Sequence, residues 1–426
     1  MEDDDRWPPE ELTCWADWAG PIERVAVQPE GRDLAQWATD IVADFYGDGW
    51  FAECARRRSV PVMSSLYDWP LSSPVALVRH IERAARIALL PEDVRIGLTE
   101  GPNGIRRSAS PNEFDHLDVV LEVIGLAVRD RWRVESEVAT TDGHLPDLRF
   151  SKGSISHVVE VTTQGMDRES RAIDRQSEAV FAQQLAIEHR YPVQCVIREA
   201  CVFDANQLKQ FVAVMDETAR AAAEQRKRCE ADVGFASVVA YPAGERIEDV
   251  IHEGPMLPRD LWPRFAVRLH QKAEATSCAG SSWIRIDESG GLLQLTPAVH
   301  WSIEQQLSTL RHNVNAELGN YRHIEGVVIS HGAEPDWVPQ RRQHGVVEQA
   351  TGAAALERRL PGGRRRRTFV IPVHQARRIA LPDHLVLRPD RWYDGETSWL
   401  DWALNSLGQP SVTRLVTGEL ARSLVP

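Results

Sequence analysis

No apolar run in this 426-residue chain approaches the roughly 20 residues needed to span a bilayer, so a membrane partner is not expected. Cysteine is scarce. The six cysteines, Cys14, Cys54, Cys195, Cys201, Cys229 and Cys278, form no CxxC pair and have no histidine nearby at zinc-ligand spacing. They read as free thiols in a reducing compartment. The N-terminus, MEDDDRWPPEEL, is acidic where a signal peptide is basic and then apolar. A cytoplasmic location is the expectation. Positive charge is also short, with 49 Lys and Arg against 62 Asp and Glu and a net charge of −13, so the bulk field repels a polyanion at long range. There is no GxxxxGK[ST] phosphate loop, no GxSxG elbow and no HExxH, which argues against an ATPase, a serine hydrolase of the elbow type and a zinc protease. No repeat recurs at a fixed period.

What is present is an alternation of helical and strand patterns. Residues 1–110 read as a helical N-terminal segment, with helices over Asp33–Arg58 and Pro74–Leu90. Ser110, Pro111 and Glu113 form a capping-box start with proline at the first helical position. Phe114, Leu117, Leu121, Ile124 and Val128 then recur at helical spacing to about Arg131. WRVESEV alternates as a half-buried strand, PDLRF is a second strand, Lys152-Gly153 a turn, and SHVVEVTT a third, more buried strand. A helix from about Asp167 to His189 and the strand PVQCVIREA complete an order typical of an α/β core with a mixed sheet. The alternation continues to residue 332. Residues 333–426 form an arginine-rich C-terminal segment, loop-like to about Gly363 and closing with a helix over SWLDWALNSLG, whose Trp399 and Trp402 are expected to dock it.

The chemistry concentrates in HLPDLRFSKGSISHVVEVTTQG. Glu160 and Thr162, two apart on a strand, share one face of the sheet, and Asp147 on the neighbouring antiparallel strand can lie across from them. Val159 and Val161 then point into the opposite layer. Two carboxylates converging on a hard cation are the minimum for phosphodiester hydrolysis by a bound water. Two acids on solvated strand ends near a turn are the plain alternative.

The order helix, strand, Pro-Asp strand, Glu-bearing strand, helix over residues 112–200 resembles the core of the restriction-endonuclease-like superfamily, whose motif is written PD-(D/E)XK. The resemblance implies a mixed central sheet flanked by helices, Mg²⁺ as cofactor, Asp147 and Glu160 as its ligands, and Thr162 where the family carries a water-polarising lysine. Threonine lacks the ammonium charge. Lys152 in the hairpin and Lys272 on a later helix are candidates to replace it, and Gln183 or Gln184 could orient water instead. Glu122 on the preceding helix is ranked first as a further ligand, ahead of Glu135 and Glu137. The arginines Arg364, Arg365, Arg366 and Arg367, with Arg358, Arg359, Arg377 and Arg378 around them, read as phosphate contacts, as a solvated loop paired with carboxylates, or as a strand edge protected by charge. The functional expectation is a Mg²⁺-dependent nuclease on DNA or RNA. The alternatives are a nuclease-like scaffold that binds nucleic acid or protein without cutting, and an α/β protein in which the match is coincidental.

Overall fold

The computed structural model describes residues 29–50, 52, 74–101, 111–136, 147–164, 168–244, 252–253, 262–277, 280–288, 302–330, 344–348, 352–359, 365–374, 384–386 and 399–411. In chain order these form α1 (Pro29–Tyr46), α2 (Pro74–Ala88), α3 (Glu92–Glu100), α4 (Pro111–Arg129), β1 (Arg133–Ser136), β2 (Leu148–Lys152), β3 (Ile155–Gln164), α5 (Arg168–Arg190), β4 (Val193–Glu199), α6 (Ala205–Gln225), β5 (Cys229–Asp232), β6 (Ala236–Pro242), β7 (His252–Glu253), α7 (Trp262–Ala275), β8 (Ser282–Glu288), α8 (Ile303–Leu318), β9 (Ile324–Ser330), β10 (His344–Glu348), β11 (Ala354–Arg359), β12 (Arg365–Pro372) and α9 (Trp399–Ser406). None of the described helices is long and apolar enough to cross a membrane.

The protein is α/β. An eight-stranded mixed sheet has the order β1-β2-β3-β8-β9-β12-β11-β10, and a separate four-stranded sheet has the order β5-β6-β4-β7. The chain divides into two compact units, Met1–Gln164 with Leu261–Pro426, and Gly165–Asp260. The second unit is therefore inserted in sequence between β3 and α7. This corrects the expected core. The strand PVQCVIREA is β4, which pairs with β6 and β7 in the small sheet, while the parallel neighbour of β3 is β8. Boundaries at 110/111 and 332/333 do not separate compact units. Helices α1 and α2, the first strands and α9 contribute to one hydrophobic core. Within the stretch expected to be loop-like to Gly363, β10 and β11 form an antiparallel pair.

The large sheet is covered on both faces. Val159 and Val161 pack with Trp283, Val328 and residues of α1, α2, α4 and α9. On the opposite face Ile284, Ile286, Val327 and Ile329 pack against Phe265, Leu269 and Ala273 of α7 and Leu307, Leu310 and Val314 of α8. Residues of β3 are buried nearly throughout, as expected for a strand with a parallel neighbour and helices on both sides. The hairpin between β2 and β3 turns at Gly153, whose φ of +62° is the left-handed conformation that glycine adopts without strain. Trp399 docks α9 as expected: its indole N–H donates to the Gly125 carbonyl at 3.2 Å, and a Cβ at Gly125 would stand 2.7 Å from the ring.

In the second unit, α5 and α6 pack on the small sheet through Val180, Ile187, Phe211, Met215, Ile197 and Val238. Asp204 caps α6 in a reciprocal capping box with Gln207. The cysteines Cys195, Cys201 and Cys229 are free thiols. Burial, reinforced by Glu188, pushes the Cys195 thiol up to about 12, so it is chemically inert.

Candidate active site

The β2–β3 register runs Leu148↔Val159, so one further step sets Asp147 against Glu160. Asp147 Oδ2 accepts a hydrogen bond from the Val161 backbone N–H at 2.8 Å, which ties the carboxylate to the neighbouring strand. Glu160 lies on the face covered by α7 and is 1% exposed. On α7, Phe265, Leu269 and Lys272 fall at i, i+4 and i+7, so the lysine stem runs down the helix's buried stripe with its charge at the tip. Its ammonium reaches Glu160 Oε2 at 2.6 Å and Asp147 Oδ2 at 3.5 Å. One cation therefore bridges the two carboxylates, and it comes from a residue 112 positions beyond Glu160.

The Asp147 and Lys272 side chains keep 25% and 22% of their surface exposed, whereas Glu160 is buried. His116, on α4, places Nε2 3.5 Å from Asp147 Oδ1. Nothing in the sequence pattern marked it, because a polar residue in the first turns of an amphipathic helix is unremarkable. Burial pushes the Asp147 carboxyl up, but the His116 hydrogen bond, the Lys272 charge and the Val161 N–H outweigh it and bring it down to about 2. Burial pulls the Lys272 amine down, and the charges of Asp147 and Glu160 outweigh it and raise it above its ordinary value. Lys272 is therefore a fixed ammonium at neutral pH.

Thr162 is buried on the same face as Glu160 and carries only a hydroxyl. Lys152 donates to the Asp130 carbonyl at 2.6 Å and its Nζ lies 5.8 Å from the Trp132 ring centroid, so it is anchored away from the carboxylates. Gln183 is exposed on α5 in the second unit, and Gln184 there donates to Glu188 and to the Cys195 carbonyl. Glu135 pairs with Arg133 at 2.7 Å. Glu137, Arg364, Arg377 and Arg378 lie outside the described residues.

Glu122 is corrected most sharply. Its Oε1 accepts from Arg285 at 3.2 Å, with Arg86 3.8 Å from Oε2. Arg285 is registered with Val161, so this pair occupies the face of the sheet opposite Glu160. Replacing Glu122 with Ala should leave the buried Arg285 guanidinium under-compensated and cost about 3–5 kcal/mol, seen as a lower denaturation midpoint, with cation binding unchanged. Lost cation affinity at unchanged stability would return Glu122 to the ligand set.

Among the described residues no group of three or more His, Cys, Asp and Glu is gathered as a metal cage. Two adjacent hard carboxylates suit Mg²⁺, which binds through one or two carboxylates and keeps several waters. With Lys272 charged, Asp147, Glu160 and Lys272 together retain one negative charge, which favours a cation. No protein-family model, no curated protein and no solved structure matches the chain.

Proposed function

We propose that the protein is a restriction-endonuclease-like, Mg²⁺-dependent phosphodiesterase acting on nucleic acid. The observation that carries this reading is the contact of Lys272 with both Glu160 and Asp147, which supplies from α7 the ammonium that Thr162 lacks. The order α4, β1, β2, β3, then α7 and a parallel β8, supports it as well, once residues 165–260 are set aside as an insertion.

In this reading Asp147 and Glu160 hold the divalent cation. When bound, that cation lowers the pKa of a coordinated water and screens charge on the phosphate. The low-lying Asp147 carboxyl stays ionised throughout the working pH range, so it remains a ligand. His116 and the Val161 N–H fix its orientation. Lys272, held as an ammonium by the charges of Asp147 and Glu160, acts as a cation and hydrogen-bond donor, not as a base. From there it orients the attacking water and offsets negative charge developing on the phosphoryl oxygens. The water oxygen bonds to phosphorus, a P–O ester bond breaks, the leaving oxygen takes a proton from solvent, and the water's proton passes to solvent.

The same ion pairs favour one second reading. An ammonium that already holds the two carboxylates together lets the fold persist as a scaffold that binds without cutting.

The test is incubation of plasmid, single-stranded DNA and RNA with Mg²⁺ or Mn²⁺, comparing wild type with Asp147→Asn and Glu160→Gln. Cleavage by the wild type should fall by about two orders of magnitude or more in each variant. Cleavage that persists in both would sink the assignment. A wild type that binds these polymers and cleaves none of them would favour the scaffold.

A further inference from the structure

Helix α7 carries two flanks of different character. Phe265, Leu269 and Ala273 form its buried stripe against the large sheet. At about 100° per residue, Lys272, Arg268 and Arg264 lie about 60°, 100° and 140° to one side of that stripe. Ala266, His270 and Glu274 lie at the same angles to the other side. Contacts settle what each flank faces. His270 meets α8, with Nε2 2.8 Å from Glu317 Oε2, and its Nδ1 stands 3.2 Å from the Tyr321 hydroxyl beyond that helix. Lys272 meets β2 and β3 through Asp147 and Glu160. Arg268 and Arg264, about one and two turns before Lys272, therefore continue the flank that carries the site, and the row climbs from the sheet toward solvent.

Both arginines are exposed, and neither is held by an ion pair or hydrogen bond among the described residues. No acidic residue stands three or four positions from Arg268, where a helical salt bridge would form. In a chain of net charge −13 this flank is a local reversal of sign, with Lys272 as its innermost member. From Arg264 to Lys272 the helix rises about 12 Å. That length corresponds to about three to four nucleotides of a stacked strand, at about 3.4 Å each. Other cations do not join the row. Arg149 shares a face with Asp147 but stands opposite Glu135 in the β1–β2 register. In the arginine-rich run, Arg367 donates to Glu357 and to Gln306, both at 2.8 Å, and the side chains of Arg365 and Arg366 lie outside the described residues. β12 is an interior strand, so that run guards no sheet edge.

We propose that Arg268 and Arg264 guide one strand of the nucleic acid along α7, holding the phosphates next to the one positioned at Lys272. The inference rests on the nuclease reading of the Asp147–Glu160–Lys272 cluster and adds the path along which its substrate lies. That cluster keeps one negative charge of its own and repels a phosphate until a cation is bound. The two arginines supply attraction one and two turns away, where no carboxylate competes. Recognition is by charge-assisted hydrogen bonds to phosphate oxygens, so it is independent of base sequence and common to DNA and RNA.

The test is fluorescence anisotropy of labelled single-stranded DNA, single-stranded RNA and duplex DNA of about 20 nucleotides, with salt varied around 0.1 M. EDTA is present so that binding is read apart from cleavage. The full-length Arg264→Gln/Arg268→Gln variant should bind at least about tenfold more weakly than wild type, equally for unrelated sequences. Its plot of log affinity against log salt should be shallower by about 1.4 on single strands and about 1.8 on duplex. Both positions are exposed, so its thermal midpoint should match that of wild type. Arg268→Gln alone should give half of that change in slope and serves should the double variant fold poorly. Lys209→Gln/Arg220→Gln, at exposed positions of α6 in the second unit, makes the same change in net charge and should bind as wild type does. Unchanged affinity and slope in the α7 variant overturn the inference, as does an equal loss in the α6 variant or a wild type that binds none of the polymers. The cleavage loss in Asp147→Asn is a separate measurement, so failure of the arginine row leaves the catalytic reading standing.

Discussion

Lys272→Met should abolish most cleavage while strengthening cation binding. Methionine keeps the apolar stem that packs along α7 and removes only the charge, so the helix and its contacts with Phe265 and Leu269 survive. The rate should fall by about two orders of magnitude or more, because in the proposed mechanism the ammonium meets charge developing on the phosphate. Stability should fall as well. Glu160 is 1% exposed and pairs with Lys272 at 2.6 Å, and removing one partner of a buried pair costs about 3–5 kcal/mol. Added Mg²⁺ should restore more of that loss than it adds to the wild type, since it no longer competes with an ammonium for Glu160 Oε2 and Asp147 Oδ2. Single-turnover cleavage and thermal melts with and without Mg²⁺ read both effects. Wild-type rates in the variant would remove Lys272 from the machinery. An equal Mg²⁺ shift in the two proteins would mean that no cation shares these carboxylates.

The second large effect is a loss of stability on mild acidification. His157 on β3 and His384 meet through their Nε2 atoms at 2.6 Å in a buried site, with Trp132 stacked on His384 at 4.0 Å between ring centroids and Phe150 edge-on. A bond between two imidazole nitrogens needs at least one neutral partner. Burial pulls His157 down to about 4, against an upward pull from Glu325. Burial, His157 and Lys152 pull His384 down to about 2. Wholly buried His80 is also lowered, by burial and Arg83. A histidine depressed in the fold contributes stability that is complete above its unfolded value of 6.5 and is lost as pH falls toward the folded value. For His157 alone the window is 6.5 to about 4, and the loss is about 3 kcal/mol. Asp147, depressed from 3.8 to about 2, adds a loss that begins only below that window. Urea midpoints across pH 7 to 4 should fall steeply in the wild type and less in His157→Gln/His384→Gln, leaving the share due to His80. An equal fall in both proteins would show that the pair is not the cause.

Local register makes part of the site legible in the sequence. Asp147 and Glu160 are separated by one short hairpin, and the period of two along a strand fixes which side chains share a face. Lys272 was legible only as one candidate among several, because nothing in a sequence states which helix will cover a given sheet face. The insertion escaped for a related reason. PVQCVIREA has the composition of a core strand and is one, but of a different sheet, and pairing partners leave no mark in a strand's own residues. Glu122 was misplaced despite an available signal. Arg285 sits in the apolar run SWIRIDE at a position facing the α4 layer, and an arginine there requires a buried acid as partner. His116 carried no signal at all. The strands β10 and β11 were hidden by glycine, glutamine and arginine in the surrounding segment, though GVV and AAAL are short apolar runs that pair well.

The separation of Glu160 from Lys272 also has a temporal side. At translation rates of about 5–20 residues per second, the chain bearing both acids is made on the order of ten seconds before the amine is added. During that interval the carboxylate hairpin exists without its counter-charge and without β8, the strand against which β3 must zip. A ribosome stalled within the intervening segment carries the two acids without the amine. The toll of such an arrangement is slow ordering across a long loop, and its consequence is that the three charged groups come together only after the whole of the inserted unit has been made.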